Sequence, residues 1–243
     1  MTTDSAIFSV TLAAVKDLAE SGTHLLGAQE FSSLTSSAPG DWARFAKNWD
    51  HLELDTYMAD GGSYRYRRYD QFVIDVEAER IILLQHGPYR QETDVNKLNG
   101  GIDRLYEPLT SAFLDDPLFR SILMELALIF SGVEDVRKWN VKVTPIRIVA
   151  TQDQAGRPTP EGRHSDGATF ITSLMLGRSN VVGADSSVHT EDGECLITTT
   201  LSEPGEILLS DDRRTLHEVT PVRPRQVGAP GHRDVLIMAY TAL

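Results

Sequence analysis

Apolar and polar positions follow two different periods along the chain, and the change falls near its middle. In the first half Leu12, Val15, Leu18 and Ala19 recur at helical spacing and predict a helix that ends near Gly22. A second helix is predicted over Trp42 to Leu52, after the breaker Pro39-Gly40-Asp41. The runs YRYRR, QFVIDV and RIILLQH, between Gly62 and His86, read as strands at the margin of a sheet. Helical spacing returns at Ile102, Leu105, Leu109 and Phe113. Asp115-Asp116-Pro117 then opens a longer apolar helix from Leu118 to Phe130, with Gly132 as its stop and a sheet as the surface that buries it.

After Trp139 short β-prone runs follow one another: VKVTPIRIVA, TFITSLML, ECLITTT, EILLS, TLHEV and DVLIMAY. Turn signals separate them, at Asp192-Gly193, at Pro204-Gly205 and between Arg223 and Gly231. Several short strands at this spacing predict an all-β sandwich or barrel, with the helices of the first half covering one sheet. No repeat and no long linker divides the chain, so residues 1–243 are expected as one domain. Residues 1–135 would give the helices and marginal strands, and 140–243 the β core.

Composition narrows the partners rather than the fold. The formal charge of −12, from 23 Lys and Arg against 35 Asp and Glu, gives no electrostatic footprint for nucleic acid or an anionic membrane. No stretch is apolar enough to span a bilayer, and MTTDSAIFSV lacks a basic leader, so a cytoplasmic protein is expected. The lone cysteine, Cys195, excludes an internal disulfide and reads as a small core residue within ECLITTT. Oligomeric state is not legible.

The most informative local sequence is Glu161-Gly-Arg-His164-Ser-Asp166-Gly167. In extended backbone His164 and Asp166, at alternate positions, project to the same face. His217 in TLHEV is the best third partner, and two histidines with one carboxylate are diagnostic of non-haem Fe(II) oxygenases. Arg233, just before DVLIMAY, either lays its stem on the sheet or turns its fork of donors inward to a carboxylate. The remaining histidines, His24, His51, His86, His189 and His232, read as surface or structural groups.

The stretch from about Pro145 to Tyr240 resembles the iron(II)- and 2-oxoglutarate-dependent dioxygenases. The resemblance rests on His164-Ser-Asp166, on LSEPGEILLSDD leading to His217, and on Arg233 downstream. PIRIVATQDQAGRPTPEGRHSDG and YRYRRYDQF are similar to the bacterial branch that hydroxylates free amino acids, the isoleucine 4-hydroxylase type. The resemblance implies a double-stranded β-helix, the cupin-like jelly roll, covered by the N-terminal helices. It implies His164, Asp166 and His217 as iron ligands and Arg233 as the anchor of 2-oxoglutarate. The implied reaction consumes O2 and 2-oxoglutarate, releases succinate and CO2, and hydroxylates an unactivated C–H bond of a free L-amino acid or close derivative.

Such a substrate needs a partner at each charged end. Arg147, in the strand before the ligand loop, faces either the cavity or solvent, since Ile146 and Ile148 would take the other face, and it is the expected carboxylate anchor. Glu161 and Asp153 are candidates for the ammonium, and Tyr66, Arg68 and Tyr69 for pocket walls. Two other classes fit part of the pattern. One is a different metal-dependent enzyme on a cupin-like fold. The other is a non-catalytic jelly-roll binding protein, in which the three ligand residues would not converge.

Overall fold

Helices come first because the early chain offers apolar faces, caps and breakers. The computed structural model describes residues 3–91 and 100–243. It opens with α1 (Thr3–Ser21), β1 (Thr23–Leu26), α2 (Ala28–Leu34) and α3 (Pro39–Ala46), the last running into a 3-10 turn over Lys47–His51. Short strands β2 (Glu53–Leu54), β3 (Arg65–Arg67), β4 (Asp70–Asp75) and β5 (Arg80–Leu83) precede α4 (Ser111–Leu114) and α5 (Pro117–Glu134). In α5 the Asp116 carboxylate accepts the Leu118 N–H at 2.9 Å, and Pro117 fills the first turn, where a missing donor costs nothing.

The predicted helix over Ile102 to Phe113 shrinks to α4. Tyr89 and Arg104 exchange backbone hydrogen bonds of 2.9 and 3.1 Å, so the chain there is extended, and Ile102 and Leu105 are exposed. Gly101 and Pro108 flank the segment and disfavour helix on both sides.

The second half supplies β6 (Lys138–Ala150), β7 (Phe170–Ser179), β8 (Val181–Gly183), β9 (Ser186–Thr190) and β10 (Cys195–Thr199). It ends with β11 (Ile207–Asp211), β12 (Thr215–Val219), β13 (Val222–Pro224) and β14 (Gly231–Ala242). A nine-stranded antiparallel sheet runs β1-β11-β7-β14-β6-β3-β2, with β4 on β6 and β5 on β4. A three-stranded sheet, β10-β9-β12, and the pair β13-β8 stand beside it, and none of these sheets closes on itself among the described residues. No described helix is long and apolar enough to cross a membrane.

Side-chain alternation divides the large sheet into two faces. One face, with Val141 and Val143 of β6, Phe170 and Leu174 of β7, and Leu236, Met238 and Tyr240 of β14, shares a core with α1 and α5. The opposite face carries Thr144, Ile146 and Ile148, Ile171 and Ser173, and Arg233, Val235 and Ile237, which line a cavity. Cys195 departs from expectation: β10 is an edge strand of the small sheet, and the thiol is exposed.

The helix-side core centres on Phe130, stacked on Phe170 at 4.4 Å and edge-on to Tyr240 at 4.9 Å. Phe130→Ala should lower unfolding stability by about 3–5 kcal/mol, read from urea denaturation, because both rings lose their partner. A loss under about 1 kcal/mol would show that this cluster does not hold helix to sheet.

Candidate metal and ligand site

The cavity is built where the inner face of the large sheet meets the ligand loop, β9 and β12. His164 pairs with His217 through backbone hydrogen bonds of 3.1 and 2.8 Å, which brings the loop against β12. Asp166 follows, and Gly167 at φ +75° turns the chain into β7, a conformation that glycine adopts without a Cβ clash. The buried Asp212 carboxylate holds this turn, accepting the Asp166 N–H at 3.0 and 2.9 Å and the Ala168 N–H at 2.8 Å.

One ligand atom from each of His164, Asp166 and His217 lies within 4.8 Å of the other two, a spacing that suits one metal ion. His164 Nδ1 is 2.9 Å from the Gly162 carbonyl; donating there, it leaves Nε2 as the lone pair for a metal. His217 Nε2 lies 3.3 Å from Asp166 Oδ2, and Gln91 Nε2 donates to the other Asp166 oxygen at 2.9 Å. Burial alone would raise the Asp166 carboxyl, yet the hydrogen bond and charge of His217 hold it well below the usual carboxylate range. Burial works the other way on His217, and Asp166 overrides it, raising the imidazole above its ordinary value. Burial, then the charge of Asp166, raises the Asp212 carboxyl. Asp166 is thus an anion at neutral pH, and the donor set is that of a divalent transition metal with open positions.

Arg233 is 2% exposed, and its Nε and Nη2 have no hydrogen-bond partner. Burial, followed by the charge of Arg178, pushes it down to about 9, so it remains a cation at neutral pH. A buried guanidinium with idle donors on a cavity wall fits a ligand that brings a carboxylate.

Of the sequence candidates, the structure brings His164, Asp166, His217, Arg233 and Glu161 to this cavity. Arg147 is not there. It lies on the helix side of β6, forking onto Asp234 at 2.8 and 2.7 Å and reaching Asp50 at 3.2 Å, while Ile146 and Ile148 line the cavity. Tyr66 packs toward the helices, and Arg68 donates to the His51 and Pro108 carbonyls at 2.6 and 2.8 Å. Tyr69 is buried behind the wall, edge-on to Tyr89 at 5.0 Å, and Asp153 is an exposed loop residue. Arg65, Arg67, Tyr89, Gln91 and Arg104 line the cavity without having been singled out. For Arg65 and Arg67 the two-residue period of YRYRR was the available signal, read there on the wrong parity.

Comparison with known proteins agrees with this geometry. A crystal structure of a BsmA homologue from Methylobium petroleophilum PM1 is 31% identical, has a TM-score of 0.89, and covers 96% of this chain and 93% of that one. The 3(1)-hydroxy-L-isoleucine 4-dioxygenase of Pantoea ananatis is 25% identical over 198 residues, 80% of this chain and 78% of that protein. IDO from Bacillus thuringiensis shares the fold at 18% identity, with a TM-score of 0.77 over 97% of this chain and 96% of that one. The profile described as 2OG-Fe dioxygenase matches residues 46–239, a span that takes in the converging His164, Asp166 and His217 and the buried Arg233, and the chain belongs to that family.

Proposed function

We propose that the protein is an iron(II)- and 2-oxoglutarate-dependent hydroxylase of a free L-amino acid or close derivative, releasing succinate and CO2. One observation carries the reading: a convergent two-histidine, one-carboxylate set shares a cavity with a buried, unpaired arginine. The amino-acid part is supported by the relative from Pantoea ananatis, whose name gives a hydroxy-L-isoleucine as what it acts on. The large sheet and β10-β9-β12, which both contribute to the cavity lining, are read as the two leaves of a double-stranded β-helix. Residues 1–243 then form one catalytic unit, with 140–243 as its core and 1–135 as its cover.

When bound, iron and 2-oxoglutarate supply the activation of O2 and the oxidising power for C–H hydroxylation. The chain's own part is positioning. His164 offers Nε2 because Nδ1 is committed to the Gly162 carbonyl, Asp166 offers the single anionic ligand, and His217 offers the third atom from a strand. Arg233, with Nε and Nη2 free of partners, would hold the distal carboxylate of 2-oxoglutarate. Ile146, Ile148, Val235 and Ile237 keep water from the reacting groups.

The test is turnover with a panel of free L-amino acids. Succinate should form only when Fe(II), O2 and 2-oxoglutarate are all present, and a hydroxylated product should accumulate with it. Asp166→Ala should abolish both, since it removes the anionic ligand; near-normal turnover in that variant would refute the assignment. Arg233→Ala should weaken 2-oxoglutarate binding by roughly 10–100-fold, and Arg233→Lys by less, because lysine keeps the charge but loses the fork. Unchanged cosubstrate affinity in Arg233→Ala would mean that the oxo acid is anchored elsewhere.

A further inference from the structure

Three more arginines line the cavity besides Arg233, and they differ in how well they are neutralised. Arg65 is satisfied: its Nε donates to Asp55 Oδ2 at 2.7 Å, and its Nη2 lies 2.7 Å from the same oxygen. Arg67 is left 3.9 Å from that oxygen, with only long contacts to the Tyr106 hydroxyl at 3.4 Å and Thr144 Oγ1 at 3.3 Å. Arg104 donates to the neutral Gln91 Oε1 at 2.8 Å. The Nε of both Arg67 and Arg104 has no partner, although the residues are only 6% and 3% exposed. Both guanidinium groups lie against Tyr89, at 5.1 and 4.7 Å from its centroid, a contact that supplies no carboxylate charge.

Among the described residues no carboxylate pairs closely with either group; buried cations left in this state call for an added anion, and planar guanidinium forks suit a carboxylate. Among the described residues the cavity also holds one uncommitted carboxylate oxygen. Asp166 belongs to the metal set, and Glu218 is paired with Arg163 at 2.9 Å. Glu161 Oε2 is buried with no hydrogen-bond partner, so it calls for a donor that carries positive charge.

We infer that Arg67 and Arg104 bind the α-carboxylate of the substrate and Glu161 its α-ammonium, so that the cavity selects amino acids with both ends free. An amino acid whose α-carboxyl is tied up in a peptide, amide or thioester bond lacks the carboxylate charge, and an N-acylated one, including the C-terminal residue of a peptide, lacks the ammonium. Each would leave a buried charge unanswered, which is how a polar site rejects a close analogue. The inference rests on the reading of the cavity as an amino-acid site and assigns Arg233 to the cosubstrate alone.

The experiment uses the full chain loaded anaerobically with Fe(II) and 2-oxoglutarate. Proteinogenic L-amino acids, their carboxamides and their N-acetyl derivatives are titrated in, and binding is read from the visible absorption of the iron–oxo acid complex and from thermal shift. At least one free amino acid should bind, and its carboxamide and its N-acetyl derivative should each bind at least roughly 10-fold more weakly. Arg67→Met and Arg104→Met should each collapse the preference for acid over amide toward unity. A carboxamide or N-acetyl derivative that binds the wild type as tightly as the free acid would overturn the inference. So would binding of no free amino acid, or a preference that survives both substitutions. The wild-type titrations decide the selectivity even if a variant does not fold. Arg67→Lys and Arg104→Lys, which keep the buried charge but lose the fork, then test the assignment by a weakened preference for acid over amide. Absence of the iron–oxo acid absorption would refute the proposed function and this inference with it, whereas normal absorption without selectivity would refute the inference alone.

Discussion

Arg147 and Asp234 face each other directly in the register of β6 and β14, joined by two parallel hydrogen bonds of 2.8 and 2.7 Å. That fork lies on the helix side of the sheet. Since successive strand residues point to opposite faces, it commits Arg233 and Val235 to the cavity and Asp234 to the helices. Slipping either strand by one residue would carry Asp234 toward the metal ligands and leave the Arg233 charge among Leu236, Met238 and the aromatic cluster. The pair is therefore better understood as a register device than as a source of stability, because Arg147 is partly open to solvent and its second partner, Asp50, is exposed.

The same sheet tolerates an unusual density of buried charge on its inner face. Some of that charge is answered within the chain. Asp55 neutralises Arg65, and Asp212 is held by the backbone N–H groups of the ligand turn that it shapes. The rest is unanswered: the idle donors of Arg233, Arg67 and Arg104, and the idle oxygen of Glu161. Unsatisfied buried groups are costly, and a fold retains them where a ligand completes them. The aliphatic walls around them make each charge more demanding by lowering the local dielectric.

His164, Asp166, His217 and Arg233 were legible because their chemistry is unusual for their setting: an alternate-position His and Asp, a strand-borne histidine, an arginine ahead of an apolar strand. The orientation of whole strands was less so. Ile146 and Ile148 look like core residues and left Arg147 as the apparent cavity group, but the cavity wall is itself apolar and both faces of β6 are covered. In YRYRR each parity holds arginine, so nothing local says which face is inward; β3 pairing with β6 decides it, with Arg65 opposite Ile148 and Arg67 opposite Ile146. Cys195 and the segment from Ile102 to Leu105 misled for a related reason. Their apolar spacing is real, but an edge strand and a β-bridge at Arg104 leave those side chains exposed. Asp212 closes the LSEPGEILLSDD run that carries the resemblance, yet its role was not legible, because that role exists only once the ligand turn has folded over it.

The most direct test of the central claim is a crystal structure of the protein grown anaerobically with Fe(II) and 2-oxoglutarate. A single iron should be bound by His164 Nε2, an Asp166 oxygen and His217 within about 2.0–2.3 Å. The distal carboxylate of the oxo acid should lie on Nε and Nη2 of Arg233. Iron bound outside this triad, or 2-oxoglutarate with its distal carboxylate on Arg67 and Arg104 and Arg233 still without a partner, would contradict that claim.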